Sequence, residues 1–300
     1  MSPRTAPSPA RTAAARRGRA PLPSGSTRLV AILGWPLTYT LSPLFQNAAL
    51  RLHGIDAVYS ALPVPDGAAF TRLARSLMAS PSFAGANITN PYKLRACALA
   101  SKLSPAARAI GAVNTLARGA SGAWTGHNTD AAGFLAALGR EAVELRGARV
   151  LVLGAGGAAR SVAWASAQAG ARRVVVLARR RSQARDCAAL AGRAGLSGEL
   201  VPGSAALASV GADLVVNALP GAELGSRYGS CLARRARPGS TAMDLSYRPR
   251  QTAFLQESAL RGWRSVGGVG MLLHQGLESF ALWFGVRPDP KPLERILRKV

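Results

Sequence analysis

The sequence predicts a two-domain α/β protein, and three observations carry that expectation. First, Arg149-Val150-Leu151-Val152-Leu153-Gly154 is a short apolar run ended by glycine, followed at once by Ala155-Gly156-Gly157-Ala158-Ala159-Arg160 and a helical stretch through Gln168. Strand, glycine turn and helix in that order let a backbone approach a diphosphate while the first helical N–H groups face it, the arrangement of a Rossmann dinucleotide-binding domain. Second, short apolar strands alternate with helical stretches on both sides of this unit. Third, the chain has 300 residues, 48% of them hydrophobic, which is enough for one large core or two ordinary ones.

Composition narrows the function classes. The formal net charge is +24, which ordinarily raises nucleic-acid binding. Here the basic residues are nearly all arginine and are spread along the chain, and no nucleic-acid module is legible. The positive field can still steer anionic ligands. No apolar run reaches the length of a membrane span. Cys97, Cys187 and Cys231 are odd in number and lack a C-x-x-C pair, which argues against a disulfide framework or zinc site and fits a reducing cytoplasm. His53, His127 and His274 share no ligand spacing, so no metal is expected.

Residues 1–27 are Pro, Ala, Ser, Thr, Arg and Gly almost throughout, a basic tail expected to be disordered. Its arginines without acids are those of a transit peptide, yet it is too proline-rich for an amphipathic helix and has no secretory apolar core. A start codon assigned too far upstream would read the same. Order is expected from Arg28, with a strand over 29–34. Thr40 and Ser42 then alternate ahead of Pro43, which suits the first turn of a helix with Ser42 as its N-cap. Two hydroxyls at a strand end and helix start suit an anion; plain capping is the alternative. Val58 to Val64 reads as a second strand and Ala68 to Met78 as a helix.

The densest polar stretch is Gly85-Ala86-Asn87-Ile88-Thr89-Asn90-Pro91-Tyr92-Lys93, read as a loop. Asn87 and Thr89 share one face of an extended segment, and Pro91 sets the turn that places Lys93 beyond it. Lysine is scarce, at 93, 102, 291 and 299 only. A general acid or base must gain and lose a proton, which lysine can do and arginine cannot; a solvated surface charge is the alternative. Gly111 to Leu116 reads as a strand interrupted by Asn114, which must be hydrogen-bonded or exposed. Asp130 precedes a helix over 131–138, where a cap is the ordinary role.

After the glycine turn, the strand Arg173 to Leu177 ends at Ala178-Arg179-Arg180-Arg181, with no acid until Asp186. Arginine there suits the 2′-phosphate of NADP, whereas an NAD site often carries Asp or Glu. Ala212 to Ala218 is another strand. Ala242 to Tyr247 is a later one carrying Tyr247. A helix from Gly268 runs to Phe284, with Gly285 as its stop.

Asn87-x-Thr89-x-Pro91-x-Lys93 resembles the signature of shikimate dehydrogenases, and Gly34-x-Pro36-Leu37-x-x-Thr40-x-Ser42-Pro43 resembles that family's first motif. The resemblance spans about 29–286, with its motifs in order. It implies Lys93 as catalytic acid/base paired with Asp130. It implies Thr40, Ser42 and Tyr247 on a substrate carboxylate, and Thr89, Asn114, Asp130 and Gln275 on ring hydroxyls. For NADP it implies Gly154, Ala155, Gly156, Gly157 and Ala158 at the diphosphate, Arg179 and Arg180 at the 2′-phosphate, and Leu245, Gly268 and Met271 nearby, Met271 against the nicotinamide. The implied domains are 28–129 for substrate and catalysis, 130–266 for NADP, and 267–300 as helices returning to the first domain. The implied reaction is reversible reduction of 3-dehydroshikimate to shikimate, in a monomer or homodimer.

The sequence departs from the family at Thr40 (usually Ser), Tyr39 (often His), Leu219-Pro220 (usually Thr and Ser) and Gly267 (often Asp). Quinate or aminoshikimate dehydrogenase is the alternative within the class, and parallel assays on those substrates discriminate. An NADP-binding sensor without catalysis or a nucleic-acid-associated protein is the alternative outside it. The intact Lys93 and Asp130 oppose the sensor, and a salt titration of nucleic-acid binding tests the other.

Overall fold

The computed structural model describes residues 23–199, 211–220 and 239–300. Strands β1 (Arg28–Gly34), β2 (Ala57–Pro63) and β3 (Phe83–Ile88) pair in parallel, linked by helices α1 (Ser42–Leu52) and α2 (Gly67–Ala79). Then come β4 (Lys102–Leu103), α3 (Pro105–Ile110), β5 (Thr115–Arg118) and β6 (Trp124–His127), which extend the sheet in the order β2-β1-β3-β5-β6-β4. The β3–β5 and β5–β6 pairs are antiparallel, so this first sheet is mixed. Alternate residues of β1 feed two cores: Val30 and Ile32 pack on one face, Ala31 and Leu33 on the other. A strand covered on both faces must be apolar at every position, which is why 29–33 reads as an unbroken run.

Helix α4 (Asp130–Arg140) leads to the second sheet. It holds β7 (Arg149–Leu153), β8 (Arg173–Ala178), β9 (Gly195–Glu199), β10 (Leu214–Asn217), β11 (Thr241–Asp244) and β12 (Arg264–Val266), in the order β12-β11-β10-β7-β8-β9. Every described pair in it is parallel. Helices α5 (Gly157–Gln168), α6 (Arg181–Ala188) and α7 (Ala253–Ala259) connect these strands. Val150, Val152, Val174 and Val176 enter one core, and Leu151, Leu153, Val175 and Leu177 the other. Strand order reverses between β7 and β10, and ligands of open parallel sheets bind in the crevice at such a point.

The last helices, α8 (Val269–Phe284) and α9 (Pro290–Arg298), turn back. Leu273, Leu277, Phe280, Leu293 and Leu297 join the core of the first sheet with Val30 and Phe45. Gln46 Nε2 donates to the Gly276 carbonyl and Trp283 Nε1 to the Leu116 carbonyl, at 2.9 Å each. Met271, one turn earlier, packs in the core of the second sheet, with Phe134 and Leu138 of α4. Gly285 ends α8 with φ of 70°, as the sequence predicts.

Several local expectations are corrected. Helix α1 begins at Ser42, so Ser42 is its first residue and not its N-cap. Leu41 stands at the N-cap with no side-chain cap, and the Thr40 hydroxyl accepts from the Ser42 amide at 3.3 Å. Asn87 lies within β3 and not in a loop, because β3 is an interior strand paired with β1 and β5. Asn114 precedes β5 and does not interrupt a strand. Asp130 is the first residue of α4 and does not cap it, since its carboxylate is engaged elsewhere. Tyr247 follows β11 in a loop and not in the strand.

Of the tail, residues 1–22 lie outside the described residues, as does Cys231. Its last residues depart from the expected disorder: Ser26 Oγ and Thr27 Oγ1 donate to the Asp56 carboxylate at 3.1 and 2.7 Å, fastening the entry to β1. No helix among the described residues is long and apolar enough to cross a membrane.

Candidate active site

A cavity of about 400 Å³ opens between the C-terminal ends of the two sheets. The first sheet contributes Thr40 and Ser42 after β1, Asn87 and Thr89 from the end of β3, Lys93, and Asn114 before β5. The second contributes Ala158, Leu219 and Pro220, and Leu245 with Tyr247 after β11. Asp130, Gly268, Met271 and Gln275 come from α4 and the start of α8. All eight side chains expected at the acid/base pair and substrate thus line one space.

Lys93 Nζ donates to Asp130 Oδ2 at 2.6 Å, and both side chains are largely buried, 12% and 6% exposed. Removing either partner of such a pair strands a charge. Asp130 Oδ1 accepts from Asn114 Nδ2 at 2.9 Å, so the carboxylate is fixed at both oxygens. The Asn114 amide is oriented in turn: its oxygen accepts from the Thr129 amide at 2.8 Å, and its Nδ2 also reaches Thr129 Oγ1 at 2.8 Å and Gln275 Oε1 at 3.3 Å. Gln275 Nε2 is tied to the Leu272 carbonyl at 2.9 Å.

Thr40, Ser42 and Tyr247 also line the cavity. Burial pushes the Tyr247 phenol up to about 12, against the pull of Thr40 and of the Arg248 charge. The phenol therefore stays protonated at neutral pH and serves as a hydrogen-bond donor. The Tyr39 ring lies 6.2 Å from that of Tyr247, tilted by 52°, and is also raised by burial.

The sequence reading missed a second layer. Asn87 Nδ2 donates to Ser279 Oγ at 3.0 Å, and Asn87 Oδ1 accepts from the Tyr59 hydroxyl at 2.8 Å. Ser279 Oγ meets Thr115 Oγ1 at 2.7 Å and Thr129 Oγ1 at 3.2 Å. The available signal was spacing: Ser279 stands one helical turn after Gln275, on the same face of α8.

The glycine turn borders the cavity next to Lys93, and two of its three glycines have a steric reason. Gly154 has φ of 108°, and a Cβ there would stand 3.0 Å from the Ala218 carbonyl oxygen. Gly156 is exposed, and a Cβ there would meet nothing within 4 Å. Gly157 opens α5, and a Cβ there would lie 2.8 Å from Lys93 Cβ. No side chain caps α5, which leaves its first N–H groups available to an anion. Ala155 is partly buried against the core, while Ala158 lines the cavity. Gly268 and Leu245 line it together, a Cβ at Gly268 meeting the Leu245 carbonyl oxygen at 2.5 Å. Arg179 and Arg180 are exposed at the end of β8 and do not line the cavity, so any phosphate they hold lies at a distance from Lys93. An open turn, free helical amides and exposed guanidiniums suit an extended, phosphate-bearing dinucleotide.

Comparison with known proteins gives these features a common context. The family model described as shikimate dehydrogenase substrate binding domain matches residues 32–116, and the one described as shikimate 5′-dehydrogenase C-terminal domain matches residues 268–298. The chain is 42% identical over 276 residues to a shikimate dehydrogenase (NADP(+)) of Methylobacterium radiotolerans, covering 90% of this chain and 95% of that one. It is 40% identical over 280 residues to one of Rubrobacter xylanophilus, covering 91% and 96%. A shikimate 5-dehydrogenase of Thermus thermophilus, solved in complex with NADP(H) and shikimate, superposes with a TM-score of 0.76 at 35% identity, covering 91% of this chain and 99% of that one. Matches of that identity, running nearly end to end in both sequence and structure, mean that the chain belongs to the shikimate dehydrogenase family.

Proposed function

We propose that the protein catalyses the NADP-dependent, reversible reduction of 3-dehydroshikimate to shikimate, with Lys93 as general acid and Asp130 as its partner. The observation that carries this reading is the buried Lys93–Asp130 pair, sharing with hydroxyl donors a cavity of about 400 Å³, the space of a small ligand. The relatives, themselves shikimate dehydrogenases (NADP(+)), support the same activity.

In this reading Thr40, Ser42 and Tyr247 hold the ring carboxylate. Thr89, Asn114, Asp130 and Gln275 hold the ring hydroxyls and so orient the ketone. NADPH, when bound, supplies a hydride to the carbonyl carbon. Lys93 delivers a proton to the carbonyl oxygen as it becomes a hydroxyl, and removes it in the reverse direction. Asp130, held by Asn114, keeps the ammonium aimed at that oxygen. Gly154, Gly156, Gly157 and the start of α5 would hold the diphosphate, with Arg179 and Arg180 on the 2′-phosphate and Met271 and Leu245 at the nicotinamide. We divide the chain at 28–129 for substrate, 130–266 for NADP, and 267–300 as the return to the first domain. The cytoplasm suits Cys97 and Cys187, which are free thiols.

Steady-state oxidation of shikimate and quinate with NADP and NAD in parallel tests the reading. Turnover of shikimate with NADP is expected; turnover of quinate alone, or of neither, would overturn it.

A further inference from the structure

The proposed reaction leaves one charged group of the cavity without a task. Lys93, Asp130 and Arg248 are the charged residues that line it among the described residues. Lys93 and Asp130 neutralise each other at 2.6 Å. Arg248 is exposed, has no hydrogen bond or ion pair to a described residue, and follows directly on Tyr247. Its charge reaches the Tyr247 phenol, where it opposes the effect of burial. Among the described residues the uncompensated charge of the cavity is therefore a guanidinium, and it stands next to Tyr247, which the proposed reaction groups with Thr40 and Ser42.

Hydroxyls orient a carboxylate but bring no charge to it, and a guanidinium supplies both charge and paired N–H donors. Hydroxyls alone would accept a neutral ester or amide in the same place at little loss. An unpaired cation beside them converts the set into one that selects for an anion. We propose that Arg248 is a specificity-determining residue that binds the substrate carboxylate alongside Thr40, Ser42 and Tyr247, and that sets the preference for the acid over its neutral analogues. The proposal rests on the reading of that set as the carboxylate site. It differs from general steering by the net charge of +24, because a single substitution leaves that field almost intact. The guanidinium is exposed and screened by solvent, so its effect is smaller than that of a buried ion pair, about 10-fold.

The experiment compares the full-length wild type with Arg248→Gln and Arg248→Lys, using shikimate and its methyl ester with NADP. Arg248→Gln is expected to raise KM for shikimate about 10-fold, with kcat within about 2-fold and KM for NADP unchanged. The wild-type preference for acid over ester should fall by the same factor, and Arg248→Lys should restore part of it. An unchanged acid-to-ester ratio overturns the proposal, as does a rise in KM for NADP in place of shikimate, which would put Arg248 on the cofactor. Calorimetric titration of shikimate reads the same contact without turnover. A wild type that binds shikimate through Arg248 without oxidising it overturns the reaction and keeps the contact. One that neither binds nor oxidises shikimate overturns both.

Discussion

Gly157→Ala separates two reasons for a glycine in a dinucleotide turn. The usual one is close approach of the cofactor. Here the added methyl would fall 2.8 Å from Lys93 Cβ, 2.9 Å from Cδ and 3.3 Å from Cγ. Carbon atoms in contact prefer about 3.5–4.0 Å, so the lysine stem or the start of α5 must give by about 1 Å. Lys93 is anchored at both ends, its carbonyl accepting from the Val113 amide at 2.8 Å and its Nζ held by Asp130. Overpacking of this kind costs about 1–3 kcal/mol in stability. A catalytic group displaced by about 1 Å costs roughly 10²-fold in rate. The atoms met are all lysine side-chain carbons, so the stem yields before the helix start, the α5 N–H groups are kept, and NADP affinity should stay within about 3-fold.

The assay is kcat for shikimate oxidation beside the Kd of NADP from fluorescence titration, after a melting curve has shown the variant folded. A loss of about 10²-fold in kcat with NADP binding retained is expected. Undiminished kcat, or a loss of NADP affinity that accounts for the whole effect, would refute the argument that Gly157 is small for the sake of Lys93.

Three further outcomes are expected. Lys93→Ala should lower kcat by roughly 10²- to 10⁴-fold with NADP affinity kept; near-normal turnover in a folded variant would remove Lys93 from the acid/base role. Arg179→Ala should raise KM for NADP about 10-fold and leave KM for NAD nearly alone, and equal effects on both cofactors would assign the residue to the adenine side or the fold. Burial lowers the His127 and His274 pKa values below 6.5, with Arg140 adding to the effect at His274 and Glu278 opposing it. The unfolded chain then takes up protons first, so this stability is full above pH 6.5 and is lost as pH falls through the lowered folded values. Melting curves between about pH 7 and pH 5 should show Tm falling, less steeply in His274→Gln, and an equal slope in that variant would exclude His274 as a source.

The second sheet was legible because its signals are local. A strand covered on both faces is apolar throughout, and the turn after β7 needs Gly154 for its positive φ and Gly157 for the close approach of Lys93. Element boundaries were less legible where a polar residue stood near a strand. Asn87 reads as a loop residue because a buried strand seldom carries an amide. It is tolerated in β3 because Tyr59, Thr115, Ser279 and the Asn114 carbonyl satisfy it, and three of those four lie in other elements. Ser42 reads as a cap from residue type alone, yet it stands one place inside the helix, with Leu41 at the N-cap and its own amide donating to the Thr40 hydroxyl.

Ser279 shows why the supporting layer was out of reach. Beyond its one-turn spacing from Gln275, a serine inside an apolar helix carries no mark, and its ordinary role is to bond the carbonyl one turn back, as it does with Gln275 at 3.0 Å. Its second task exists only because α8 returns across the first sheet. There the buried Ser279 hydroxyl meets Asn87 of β3, Thr115 of β5 and Thr129 ahead of α4, which the chain visits far apart. Those groups orient the Asn114 amide, and the amide orients the carboxylate that holds Lys93. The lysine and the aspartate were readable as residues with chemistry. What aims them is a set of ordinary hydroxyls and amides whose meaning depends on the return of the last helices, so the catalytic pair is set by the first sheet and α8 together.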